Sequence, residues 1–209
     1  MTITNGYSTR VLLKAELNIP TADTDDDTRI DAAVNGASRQ IDAFCGRKFW
    51  QDATVVDRQF FADDLYELCG FDISTTTGLV VKIDNDDSGT YETTLTIDTD
   101  FIVAPVNAAD EYPVWPYTSL KILTTGSYLW PLQTSGRPGV QITAKFGWPA
   151  VPDVVAQACL IQAKNLFKAT SGTFSGYQLS EGAGIALRIP GMDYVAAALL
   201  DEFRRERVG

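Results

Sequence analysis

The chain of 209 residues contains no histidine. Histidine has the side-chain pKa closest to neutral pH, so it is the commonest general base and activator of nucleophiles. Its absence excludes Ser–His and Cys–His catalytic pairs and imidazole zinc sites. Any enzyme built on this sequence would depend on carboxylates, lysine or tyrosine. We therefore predict that the chain is not an enzyme, with no catalytic residues and no cofactor.

Cationic residues and cysteines are also scarce. Lys and Arg total 17 against 27 Asp and Glu, which gives a net charge of -10. An acidic surface repels phosphate, so tight binding to nucleic acid is not expected, whereas weak contact with sliding DNA is compatible with it. The three cysteines, Cys45, Cys69 and Cys159, form no CxxC pair, and we interpret them as buried free thiols.

Long apolar runs are absent as well. No stretch of the sequence is long enough to span a bilayer. The N-terminus, MTITNGYSTR, lacks the apolar core of a signal peptide. We therefore expect a protein that is made in the cytosol and has no membrane partner.

Two helical patterns occupy the first 48 residues. Ser8 is a candidate cap for a first helix that ends before Pro20. The acidic stretch DTDDD (23–27) predicts the start of a second helix, because acids there suit the helix dipole. A cation site in this stretch is the alternative. The second helix has apolar residues at steps of three and four and ends at Gly46. Its stripe consists of Ile30, Val34, Ala37, Ile41 and Phe44.

Between residues 49 and 145 short alternating runs replace the helical pattern. Turn signals separate these runs, as in a small β-sandwich or barrel. The predicted strands are Val55–Phe61, Tyr66–Leu68, Leu79–Ile83, Thr93–Ile97, Phe101–Ala104, Ser119–Leu123 and Val140–Lys145.

Helical patterns return in residues 146–209. Pro152 and Asp153 suit the first turn of a third helix, whose apolar arc is wide enough to predict burial on most sides. Its apolar residues are Val155, Ala158, Cys159, Ile161, Ala163, Leu166 and Phe167. A glycine-rich segment, 171–191, predicts a long arm. A fourth helix is predicted from Met192.

One segment of the β region resembles the opening of a calcium loop. DNDDSG (84–89) places oxygen-bearing side chains at alternate positions before a glycine. The twelfth position of such a loop holds a bidentate Glu, and here it is Leu95. Because the flanking residues have strand patterns, we interpret the segment as a hairpin turn and predict no metal site. A calcium-dependent adhesin is the alternative.

Acidic and aromatic residues of the β region suggest another alternative, a carbohydrate-binding or carboxylate-based glycosidase-like module. A glycosidase needs two carboxyl groups facing one cleft. Asp63 and Asp64 are adjacent, and adjacent strand residues point to opposite faces. Aromatic residues among prolines form either a sugar platform or, more often, a core or an interface. They are Trp115, Tyr117, Tyr128 and Trp130.

The order of these parts resembles the head-to-tail connector (adaptor) proteins of long-tailed bacteriophages (siphophages). The resemblance extends over nearly the whole chain. It rests on YSTRVLLKAELNI (7–19), RIDAAVNGASRQIDAFCGRKF (29–49), PYTSL (116–120), VQITAKFGWPAVPDVVAQACLIQAKNLF (140–167) and IPGMDYVAAALLDEFRR (189–205). With the patterns above, it implies an α+β fold: a four-helix adaptor-type bundle with a β-rich subdomain inserted between helices two and three. The helical parts are 1–48 and 146–209, and the subdomain is 49–145.

This resemblance also implies a function. The chain would be a structural virion protein that forms the adaptor ring between the portal protein and a stopper or tail-completion protein. The resemblance implies that this ring is a homo-oligomer, a dodecamer in the virion. The ring would extend the channel through which genomic DNA passes without sequence-specific binding. The expected location is the virion neck, after assembly in the cytoplasm of a bacterial host. The family's C-terminal segment docks on the portal, which implies a docking role for Val195, Leu199, Phe203, Arg204, Arg205 and Arg207.

Overall fold

The structure, a computed structural model, describes residues 2–170 and 191–205. The chain divides into two compact units. The helical unit comprises Met1–Phe49 and Val151–Gly209, and the β unit comprises Trp50–Ala150. None of the helices within the described residues is both long and apolar enough to cross a membrane.

The helical unit contains two long and two short α-helices in its described part. They are α1 (Arg10–Leu17), α2 (Asp27–Cys45), α3 (Asp153–Thr170) and α4 (Tyr194–Leu200), the last followed by a 3-10 turn (Asp201–Phe203). The helices α2 and α3 pack against each other, α1 packs on both of them, and α4 packs on α3. This arrangement makes the α2–α3 pair the centre of the unit.

Local sequence sets the ends of these helices. Thr9, and not the predicted Ser8, caps α1, because its hydroxyl accepts a hydrogen bond from the backbone N–H of Leu12 at 3.3 Å. Gly46 ends α2 with a φ of 67°, as predicted, in the left-handed region that favours glycine. Asp193 caps α4, because its side chain accepts hydrogen bonds from the backbone N–H groups of Val195 and Ala196.

The core of the helical unit confirms most of the predicted α2 stripe. Ile30, Val34, Ala37 and Ile41 are fully buried, whereas Phe44 is only half-buried. The prediction that α3 is buried on most sides is wrong. Its buried apolar residues are Val155, Ala158, Cys159, Ala163 and Phe167. The side of α3 around Ile161 remains half-exposed.

The predicted four-helix adaptor-type bundle is wrong. A bundle core needs four helices that run past one another over several layers of side chains. With 8 and 7 residues, α1 and α4 each make about two turns, whereas α2 and α3 have 19 and 18 residues. The two short helices lie against one long pair. In the described residues, seven strands in two antiparallel sheets outnumber these four helices.

The β unit contains strands at all seven predicted positions. They are β1 (Val56–Phe60), β2 (Glu67–Ile73), β3 (Val80–Ile83), β4 (Thr93–Leu95), β5 (Phe101–Ala104), β6 (Tyr117–Ile122) and β7 (Val140–Ala144). The first sheet has the order β1-β7-β3-β4 and the second β2-β6-β5, with all pairs antiparallel. The main difference is β2, which runs five residues beyond the predicted end at Leu68.

One hydrophobic core joins the two sheets of the β unit. It takes alternate residues from β7, namely Val140, Ile142 and Ala144, as expected for a strand with one face buried. The second sheet contributes Leu68 and Leu120, among others. The shared core agrees with the predicted small sandwich.

The prediction that all three cysteines are buried free thiols is confirmed for two of them and wrong for the third. Cys45 and Cys159 are buried in the helical unit, but Cys69 is exposed on β2. Burial raises the pKa of the Cys45 thiol to about 12. Hydrophobic periodicity did not distinguish Cys69, because an alternating strand presents every second residue to solvent.

We predict that Ile41→Asp unfolds the helical unit. Ile41 is fully buried on α2, the helix that packs against α3, and an unpaired buried charge costs on the order of 3–5 kcal/mol. Thermal melting followed by circular dichroism should show a large loss of helical signal or of Tm. The matched control is Ala43→Asp, two residues further on α2 and exposed. An Ile41→Asp protein that melts with the control would contradict the assigned core.

Candidate functional site

The predicted docking stripe on the C-terminal segment is only partly exposed. Val195 is 39% exposed, and Leu199 is half-buried. Phe203 is fully buried, and its ring meets that of Phe49 edge to face with the centroids 5.7 Å apart. Phe203 therefore anchors the end of the described chain in the core of the helical unit. Val195 provides the exposed apolar surface of the stripe.

The arginines after Phe203 lie beside the C-terminal end of α2. The guanidinium of Arg204 lies 5.0 Å from the centroid of the Phe44 ring and pairs with Asp201 at 3.4 Å. The backbone N–H of Arg205 donates to the carbonyl of Cys45 at 2.9 Å. Arg207, and the glycine-rich arm apart from Gly191, lie outside the described residues.

Arg204 and Arg205 line an open depression of about 800 Å³ in the helical unit. Asp201 and Glu202 contribute carboxylates to the same depression. Its remaining lining comes from the end of α2, namely Ala43, Phe44 and Gly46. Guanidinium groups beside a shallow depression suit a partner that presents carboxylates, because arginine binds them with two parallel hydrogen bonds.

The DNDDSG segment lies in the connection between β3 and β4, which pair antiparallel with Ile83 opposite Thr93. This confirms the predicted hairpin. Asp84 is buried, and its two carboxylate oxygens accept hydrogen bonds from the backbone N–H groups of Ser88 and Gly89, at 3.1 and 2.7 Å. Hydrogen bonds from Ser88 also hold the pKa of Asp86 below its usual value. Backbone and hydroxyl donors therefore satisfy the acids of the turn.

Three acidic residues of this hairpin come close enough to be considered as cation ligands. Oxygen atoms of Asp84, Asp86 and Glu92 lie within 4.8 Å of one another. Glu92 already accepts a hydrogen bond from the backbone N–H of Asn85 at 2.8 Å. Sequence reasoning missed Glu92 because it tested the twelfth loop position, Leu95, which is buried in the core. Pairing of β3 with β4 brings Glu92 close to Asp84 and Asp86. The predicted hairpin was therefore the signal from which Glu92 could have been identified.

The aromatic residues considered as a sugar platform lie in or against the core of the β unit. Trp130 is fully buried. The ring of Trp115 lies 4.8 Å from that of Trp148, and Tyr117 and Tyr128 are partly buried against the core. The positions of the four rings therefore agree with their interpretation as core residues and not with a sugar-binding platform.

Asp63 and Asp64 lie in the turn after β1 and not on a strand, so the argument from strand alternation does not apply to them. The Asp64 carboxylate accepts hydrogen bonds from the backbone N–H groups of Tyr66 and Glu67, at 2.7 and 2.9 Å. These hydrogen bonds lower the pKa of Asp64. Its carboxylate thus stabilises the turn that leads into β2.

Asp27, the last acid of the stretch at the start of α2, pairs with two cations of α1. Lys14, only 3% exposed, places its Nζ 2.5 Å from an Asp27 oxygen. Arg10 pairs with both Asp27 and the buried Asp31, at 2.7 and 2.6 Å. Hydrogen bonding to Lys14 is the main cause that lowers the pKa of Asp27. Asp27 therefore joins α1 to α2, and lysine occupies the position that a bound cation would take.

No protein-family description and no curated protein matches the sequence. Solved structures do share the fold. A chain in the neck of an empty GTA particle, determined with C6 symmetry, is 16% identical; the match covers 100% of this chain and 94% of the other, with a TM-score of 0.53. A chain in the virion of a native gene transfer agent (GTA) particle is 18% identical, with the same coverage and a TM-score of 0.50. The chain is thus similar in fold to chains of phage-like particles.

We predict that calcium does not change the stability of the protein. The carboxylates of the β3–β4 hairpin already accept hydrogen bonds from backbone N–H groups, so a calcium ion would have to displace them. Tm should be the same in millimolar calcium and in EDTA. A rise of several degrees with calcium, which corresponds to about 1 kcal/mol, would show that Asp84, Asp86 and Glu92 bind the ion.

We also predict that Asp27→Asn lowers Tm at neutral pH because it removes the carboxylate that pairs with buried Lys14. The pKa of Asp27 is lower in the folded chain, so its contribution is present above the unfolded pKa of about 3.9 and is lost as pH falls through the folded value. The difference in Tm from the wild type should therefore shrink below about pH 4. Asp25→Asn, at an exposed position, is the control. A difference that stays constant with pH would contradict the ion pair.

Proposed function

We propose that the chain is a structural protein of a phage-type virion neck. There it forms the adaptor ring between the portal protein and a stopper or tail-completion protein, and it extends the DNA channel. The observation that carries this proposal is the likeness in fold to a chain in the neck of a GTA particle, over 100% of this chain and 94% of the other. A match of that extent involves both units and not a single shared motif.

A ring of twelve copies is the oligomer that we propose for the virion. The structure of the GTA neck was computed with C6 symmetry, and twelve copies fit a sixfold axis as two per repeat. The net charge of -10 also supports a role around DNA, because like charge on the channel wall keeps a passing duplex from adhering. The proposed location is the virion neck, with assembly in the cytoplasm of a bacterial host.

For the portal contact we propose the C-terminal segment. Phe203 fixes the end of the segment to the core, so the residues around it are held in place. Val195 and Arg204 are exposed, and the proposed segment includes Arg205 and Arg207 by sequence. Arginine pairs that lose their water at an interface contribute far more than exposed ones. Leu199, which is half-buried, is the remaining apolar residue of the proposed segment.

We propose further that the chain is not an enzyme and works without a cofactor. The acidic clusters in the described residues are engaged in structural contacts: Asp27 with Lys14, Asp64 with a turn, and Asp84 with backbone N–H groups. A general acid or base must be able to reach a substrate, and these carboxylates are committed to the fold.

The test of the whole proposal is electron cryomicroscopy of particles from the source that encodes this chain. Density for the fold in a ring below the portal is the expected result, and its absence from the neck would refute the proposal.

We predict that a chain that ends at Phe203 stays folded but no longer joins the particle. The truncation keeps the Phe203–Phe49 contact. It loses the Arg204–Phe44 contact, an exposed cation–π interaction of about 0.5–1 kcal/mol, and the hydrogen bond from the backbone N–H of Arg205 to the carbonyl of Cys45, which contributes about 0.5–1.5 kcal/mol. Particles made with it should be heads without tails when counted by negative-stain microscopy.

The control for this truncation is a chain that ends at Arg207, which keeps every proposed docking arginine. It should give normal numbers of tailed particles. Normal numbers from the chain that ends at Phe203 would remove the arginines from the docking role.

A further inference from the structure

Negative charge is divided unequally between the two units. The β unit contains 14 Asp and Glu residues but 5 Lys and Arg residues, a net charge of -9. The helical unit contains the remaining 13 acidic and 12 basic residues, a net charge of -1. Almost all of the excess negative charge therefore belongs to the β unit. Such a unit attracts cationic partners and repels nucleic acid.

Exposed apolar side chains are concentrated at one end of the β unit. Of the fourteen large apolar side chains that are exposed in the described residues, five come from two short segments, 61–66 and 129–132. Single exposed apolar side chains are normal, but a concentration of them marks an interaction surface. These five side chains, here called the β-unit patch, are Phe61, Leu65, Tyr66, Leu129 and Leu132.

A backbone hydrogen bond joins the two segments of the β-unit patch. The N–H of Trp130 donates to the carbonyl of Leu65 at 2.9 Å. Leu129 is the neighbour of Trp130 in the chain, so Leu65 and Leu129 are close in space. Because Trp130 is fully buried, this contact is anchored in the core of the β unit.

Phe61 lies near the same loop. It follows the last residue of β1, which pairs with the first residue of β7. Gly139, just before β7, lies so close to the loop that a Cβ added to it would be 2.9 Å from Cγ of Pro131. Pro131 precedes Leu132. The pairing of β1 with β7 therefore brings Phe61 and Leu132 to the same end of the first sheet.

The charges that accompany the β-unit patch are acidic. Asp63 and Asp64 are exposed and lie within the first segment of the patch. Neither of them forms an ion pair with another described residue. The two segments contain no Lys or Arg, and Lys121, near the end of β6, already pairs with Glu67 at 3.5 Å. The β-unit patch thus combines apolar side chains with carboxylates that no cation of this chain offsets.

We propose that the β-unit patch docks a cationic segment of a partner protein, in which Lys or Arg side chains flank an apolar side chain. The apolar side chain packs on Leu65 and Leu132, as in the apolar centre of an interface. The flanking cations face Asp63 and Asp64, where opposite charges steer the encounter and fix its register.

The charge of the β unit also decides against other occupants. DNA is repelled by it, and so is the same patch of a second copy. The proposed portal contact carries arginines and suits carboxylates, whereas the β-unit patch suits cations. The partner at the patch is therefore a neighbour other than the portal protein. This last step rests on the proposed function, in which the adaptor ring has a second neighbour.

The test is binding of short fluorescent peptides to the purified full-length chain, measured by fluorescence anisotropy. The probe peptide has two adjacent Leu residues flanked by Lys residues. One matched peptide has Ser in place of Leu, and another has Glu in place of Lys. The probe peptide should bind at least about tenfold more tightly than either matched peptide, because both the apolar and the charged contacts contribute.

Variants of the chain locate the binding site. Leu132→Ser and Asp63→Asn should each weaken binding of the probe peptide by about fivefold or more. The matched controls are Val106→Ser and Asp110→Asn, exposed positions in the β5–β6 connection. That connection lies at the other end of the second sheet from Tyr66, whose carbonyl accepts from the last residue of β6. The control variants should bind as the wild type does, and circular dichroism checks that all four are folded.

An equal loss of binding in the control variants would overturn the proposal, because it would indicate diffuse attraction to an acidic unit. Equally tight binding of the Ser peptide, or no binding of the probe peptide, would overturn it too. Sedimentation tests a second copy as the occupant: wild-type oligomers that Leu132→Ser abolishes also overturn it. Microscopy tests the function separately. Binding without neck density refutes the function alone, and neck density without binding refutes this inference alone.

Discussion

One buried side-chain amide ties the helical unit together. Gln162, on α3, donates from Nε2 to Gln40 on α2 at 2.7 Å and to the carbonyl of Gly191 at 2.9 Å. Its carbonyl oxygen accepts from the backbone N–H of Asp193 at 2.9 Å. Asp193 in turn caps α4. Because a buried amide without partners would cost about 1–3 kcal/mol, this network fixes where the chain that follows α3 returns to the unit.

The same network relates the fold to the proposed interactions. By fixing Gly191 and Asp193, it positions the start of α4, whose Val195 belongs to the proposed portal contact. Hydrogen bonds at the centre of the unit thus orient the surface proposed for the portal contact. A ring protein needs this rigidity, because a small error in angle at each contact accumulates around the ring.

How well the sequence predicted each element depended on how local its determinants are. Gly46 and the strand Phe101–Ala104 were predicted at their observed positions, because a helix-ending glycine and a short alternating strand are local signals. The prediction of a four-helix bundle was wrong because hydrophobic periodicity indicates that a segment is helical but not how many of its turns pack against other helices. In α4, Ala196 and Leu200 are buried and not Val195 and Leu199. An almost wholly apolar helix has no polar side to set its rotation.

The candidate site was harder to predict, for a related reason. The burial of Phe203 depends on Phe49, which is distant in sequence, and the pairing of Lys14 with Asp27 depends on how α1 crosses α2. Tertiary contacts of this kind leave no mark in the spacing of residues. The acidic residues of DNDDSG were correctly identified as turn residues. In DTDDD only Asp27 is helical, and Asp26 precedes α2 without a side-chain capping bond; the cations that pair with these two residues required the structure.

Because the three thiols differ in exposure, one of them is a selective labelling site for microscopy. Reagents attack the thiolate, and the buried Cys45, with its pKa near 12, supplies almost none at neutral pH. Cys159 is buried beside Ser38. Cys69, exposed on β2, is left as the reactive sulfur. A gold cluster or fluorophore coupled to the unmodified protein would therefore mark the β unit of every copy at one chemically defined point.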